Sequence, residues 1–107
     1  MPDVFIPLDT TKYTDYHRKL VARGVMNRTS LQYIDNNRNE LKEQYPTFDS
    51  FKQNYVVNDA YIQQLVDNGE KEDITYNEEQ LNQSLELIKL QLKALIARDL
   101  WDTNEYY

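Results

Sequence analysis

The chain of 107 residues has no cysteine, two glycines, three prolines and a single histidine. Each shortage removes a class of chemistry. Without cysteine there is no disulfide, thiolate metal site or cysteine nucleophile, and the redox compartment stays open. Gly24 and Gly69 are too few and too far apart to make a Gly-rich phosphate loop. His17 alone cannot build a histidine metal cluster. Positive charge is also scarce. Twelve Lys and Arg against 18 Asp and Glu leave a net charge of −6, which argues against nucleic acid and anionic membranes as partners. No apolar run approaches the ~20 residues of a membrane span, and the N-terminus lacks the basic and long apolar regions of a signal peptide.

What the chain does have is aromatic surface: nine Tyr, three Phe and one Trp, with Leu and Ile at regular spacing. That is more buryable area than a disordered segment carries. The length fits one domain with one modest core. The spacing predicts an all-α fold of about five helices in an irregular bundle, behind a short extended N-terminal segment. Val4, Phe5 and Ile6, between Pro2 and Pro7, read as a strand with no partner in this chain.

The helices announce themselves through caps and stops. Thr14 is placed to cap a helix from Asp15 to Arg23, with Gly24 at its left-handed end. A second helix, about Met26 to Gln44, has one stripe through Leu31, Ile34, Arg38, Leu41 and Tyr45, and Pro46 ends it. Thr47 starts a short helix through Phe48, Phe51 and Tyr55. Asn58 starts another, with Tyr61, Ile62, Leu65 and Val66 on one face and Gly69 expected to close it. Residues 70–76 read as a loop ending in a brief extended piece. Asn77 and Gln80 form a capping box for the last helix, with Tyr76 and Leu81 as its hydrophobic staple, and the helix runs to about Asp102.

That last helix carries apolar residues on opposite sides. Leu81, Leu85, Ile88, Leu92, Leu95 and Ile96 make one stripe; Leu87, Leu90, Ala94, Ala97 and Trp101 make the other. Polar seams separate them, with Glu86, Lys89 and Lys93 on one side and Gln91 and Arg98 on the other. Two readings follow. Either the helix is central and sandwiched by its neighbours, or the second stripe docks on another domain or chain.

Catalytic chemistry finds little support. His17 stands beside Arg18 and Lys19 and reads as a surface residue. Ser30, Ser50 and Ser84 lie inside helices, with no Gly-rich elbow and no base at an obvious position. Residues 67–78 lie between helices like a calcium loop, but Gly69, Lys71 and Glu72 stand where ligands and the turn glycine belong. They read as a solvated acidic loop. Asp99 falls on the first apolar stripe and needs a partner, Arg98 or Arg38, which makes it a structural ion pair rather than a catalytic acid. No catalytic, cofactor-binding or metal-binding residue is assigned.

Two stretches carry a resemblance. "MPDVFIPLDTTKYTDYH", residues 1–17, resembles the segment that closes the protease domain in carboxy-terminal processing (tail-specific) proteases of Gram-negative bacteria. "LIKLQLKALIARDLWDTNEYY", residues 87–107, resembles the helix ending the C-terminal extension of many of them, and "RTSLQYIDNNRNELKEQYPTFDSF" fits the stretch between more loosely. The resemblance implies that residues 1–11 are an extended remnant of a preceding protease domain and that 12–107 are a helical C-terminal domain. It places the serine and lysine of the catalytic dyad, and the substrate-presenting PDZ domain, outside this chain. It further implies no enzymatic activity for the chain alone, a periplasmic or envelope location, and a role packing on or regulating the protease core. The other role open to such a domain is recruiting an adaptor or a second subunit, including a second copy.

Overall fold

The computed structural model describes residues 13–103, so the expected N-terminal strand lies outside the described residues. The described residues form five helices and no strand: α1 (Asp15–Ala22), α2 (Val25–Gln44), α3 (Phe48–Asn54), α4 (Asp59–Lys71) and α5 (Glu78–Trp101). Helix α5 is the axis. Helices α1, α2 and α3 pack on it, and α4 packs against α2.

Four of the five helix starts follow from side chains that accept an otherwise orphaned N–H. Thr14 accepts from His17 N, Thr47 from Ser50 N, Asn58 from Tyr61 N and Asn77 from Gln80 N. The capping box is complete, because the Gln80 side chain accepts from Asn77 N in return. Helix α2 begins instead straight from Gly24, whose φ of 76° both ends α1 and starts α2. Only a residue without Cβ takes that turn cheaply.

The end of α4 departs from expectation. Gly69 does not close the helix; α4 continues to Lys71, and the left-handed residue is Asp73, φ 60°. Ile74 N donates to Gly69 O and Asp73 N to Glu70 O, the double closure of a Schellman turn. Aspartate is among the few non-glycine residues that tolerate this conformation, and burial of Ile74 holds the turn in place. Gly69 serves packing instead. A Cβ there would sit 3.1 Å from Leu20 Cδ2, so its absence lets α4 approach α1. Residues 74–77 carry no strand and lead directly into α5, with Asn77 in an extended conformation.

The core joins all five helices. Leu20, Val25, Met26, Ile34, Phe51, Leu65, Ile88, Leu92 and Ile96 are fully buried. Aromatic rings fill the gaps between helices: Tyr33 of α2 stacks on Tyr61 of α4 at 4.2 Å, and Phe51 of α3 meets Trp101 of α5 at 5.0 Å. The stripe expected on α2 is only partly right. Ile34 and Leu41 are buried, but Leu31 is half exposed, at 50%. The buried face runs instead through Thr29 and Ser30, small hydroxyl residues that let α4 come close, and Asn68 donates to Thr29 Oγ1 at 3.0 Å. Arg38 keeps the role expected of it, pairing with Asp99 at 3.0 Å and tying α2 to α5.

Candidate functional site

Two places depart from a simple closed bundle: an open apolar groove and a buried polar cluster, on different sides of α5.

The groove follows from the length of α3. With seven residues, α3 covers only the C-terminal half of the second α5 stripe. There Ala94 and Ala97 are buried, and Trp101 packs against Phe48 and Phe51. One turn earlier, at Leu90, the described residues leave the stripe open. Leu87 is half-buried, and Leu90 is 38% exposed. Beside Leu90 lies the α3–α4 connection, where Tyr55 and Val57 point inward and Val56 is 75% exposed. Val56 and Leu90 thus form the floor of a shallow groove, with Glu86, Lys89 and Lys93 along its α5 side. The second stripe is therefore core in one half and surface in the other. Val56 lies on no helical stripe and so escapes a reading by periodicity; the Val56–Val57 pair before the Asn58 cap is the available signal.

Lys93 fixes one wall. Its Nζ donates to Lys52 O and Tyr55 O, both at 2.8 Å, satisfying carbonyls at the end of α3. Partial burial lowers its pKa. Its hydrogen bonds identify it as a strut between α5 and α3.

The polar cluster overturns the expectation for His17. The ring is completely buried, with 0% exposure. Its neighbours in sequence are charged, but in a helix its neighbours in space are Tyr13 and Leu20, four residues before and three after. Tyr13 stacks on the ring at 3.9 Å. His17 Nε2 lies 2.9 Å from Gln91 Oε1 of α5, and the Tyr13 hydroxyl donates to the same oxygen at 3.4 Å. Gln91, expected in a polar seam, is fully buried to receive them. Burial pushes the Tyr13 phenol up to about 12, so it stays neutral and donates. It pushes the His17 pKa down, partly offset by the Gln91 hydrogen bond.

Among the described residues no serine hydroxyl is shown hydrogen-bonded to a basic side chain. Ser84 donates to Gln80 O within its own helix at 2.8 Å, and Ser30 is buried against Tyr61. The Ser50 backbone takes part in the Thr47 cap. Helix α4 occupies most of the first half of residues 67–78, so only 72–77 of the calcium-loop spacing are turn and loop. Among the described residues no group of three or more His, Asp or Glu is placed to hold a metal ion. None of the described helices is long and apolar enough to cross a membrane.

These features define an all-α bundle built on one central helix, with a small unfilled apolar groove. The chain belongs to the family of unknown function DUF8443, whose model matches residues 16–102, from the first turn of α1 to the C-cap of α5. No curated protein and no solved structure matches it.

Proposed function

We propose that the chain is a non-catalytic helical module that docks, through the Val56–Leu90 groove, onto a protease core of the carboxy-terminal processing type. The observation that carries the docking role is the uncovered half of the second α5 stripe: Leu90 of α5 is exposed and shares a groove with the exposed Val56 of the α3–α4 connection. Isolated exposed apolar residues are ordinary, but a contiguous pair continuing a core stripe is a place where a further element can pack. The protease identity itself rests on the resemblance of residues 1–17 and 87–107.

A photo-crosslinking residue at Leu90 or Val56, in the protein as its native cell makes it, tests both parts. Adducts within one polypeptide, to a Ser–Lys protease domain, are expected. Adducts to a separate chain would instead support recruitment of an adaptor or second subunit. Absence of any adduct at either position would remove the docking role.

A further inference from the structure

We propose that His17 is an acid-released latch: protonating its ring frees α1 from α5 while α2, α4 and α5 stay packed. The geometry favours the neutral ring. With Nε2–H donating to Gln91 Oε1 at 2.9 Å, the incoming proton must go to Nδ1, which is buried and has no hydrogen-bond partner. Protonation therefore creates a cation and an unsatisfied donor together in a closed seam shut off from water, and both are costly there.

No carboxylate offsets that charge among the described residues. On α1, Arg18 bears on the ring with like charge, while Asp15 and Lys19 pair with each other at 3.2 Å on the exposed side. The preceding turn offers the neutral Tyr13 phenol. The buried face of α5 has no ionisable side chain, and its Glu86, Lys89 and Lys93 line the groove instead. The buried face of α2 has no titrating or charged group, and its Arg28 pairs with Glu72. On α4, Glu70 bears on Tyr16.

Release is local because of how the bundle is joined. Helix α1 has eight residues and leads the described chain, whereas the contacts of α2 with α4 and α5, and of α3 with α5, do not pass through it. Tyr16 and Leu20 still hold α1 in place, so the released state is minor at neutral pH.

The sign follows from linkage. The ring's pKa is lowered when packed and returns to about 6.5 when released, so the released state binds the extra proton. The latch holds fully above about pH 6.5. Below it, the released fraction grows by up to about tenfold per pH unit until the packed ring itself titrates.

His17 is the single histidine of the chain, so its ring signals in an NMR titration of the 107-residue protein are unambiguous. Amide exchange, corrected for intrinsic pH dependence, is followed in parallel. Expected is a neutral ring well below pH 6.5, with protection in α1 falling up to about tenfold per unit while α4 and α5 keep theirs. In His17→Phe, which retains a ring to stack on Tyr13, that fall should vanish. The proposal is overturned if the wild-type ring titrates near 6.5 with α1 still protected, if all five helices lose protection together, or if the Phe variant shows the same acid response. The first two outcomes need only the wild-type protein, so the test stands even if the variant does not fold.

Discussion

The two halves of the second stripe on α5 have similar residues and opposite fates. Ala94 and Ala97 are buried and Trp101 packs on Phe48 and Phe51 of α3; Leu87 and Leu90, on the same line two and one turns earlier, are left half-buried and exposed. What separates them is the seven-residue length of α3, and therefore where Pro46 and the Thr47 cap place its start and where Tyr55 ends it. An apolar stripe records that something packs there. It does not record whether that something is in the same molecule.

Substitutions on α5 can sharpen or break that contrast, and the largest effect is expected on the first stripe. Leu92 is completely buried, so Leu92→Ala should cost about 2–5 kcal/mol in denaturant unfolding, through lost transfer energy and the cavity left behind. On the closed half of the second stripe, Ala97→Leu forces three heavy atoms into a filled site and should cost about 1–3 kcal/mol. A neutral result would mean α3 is not seated as described. Asn77→Ala opens the capping box at the far end of the helix, and a shift of about 0.5–2 kcal/mol in the same assay is expected. The smallest effect belongs to the open half: Leu90→Ala should change stability by less than about 0.5 kcal/mol, the range of ordinary surface substitutions.

Much of this fold was legible in the sequence because helix starts are local events. Thr14, Thr47, Asn58 and Asn77 cap within three residues of themselves, and each stands where the chain predicted. Arg38 and Asp99 were also readable, since each is a charge on an otherwise apolar stripe and one answers the other. Gly69, His17 and Leu31 were misread for one reason. Their environments are set by another helix: Leu20 against Gly69, Gln91 against His17, and Asn68 drawing Thr29 rather than Leu31 inward. For His17 a signal did exist in the spacing of Tyr13, Tyr16 and Leu20, which puts residue 17 on the buried face. The charged residues at 18 and 19 obscured it. The groove was legible only as one of two readings of the second stripe, because which half stays open depends on the reach of α3.

The most direct measurement is the difference in unfolding free energy between Leu92→Ala and Leu90→Ala in the same 107-residue chain. A gap of about 2 kcal/mol or more, with Leu90→Ala close to wild type, is what an open half-stripe requires. Equal and large losses for both leucines would show that Leu90 is core, and would leave no uncovered surface on α5 for a partner.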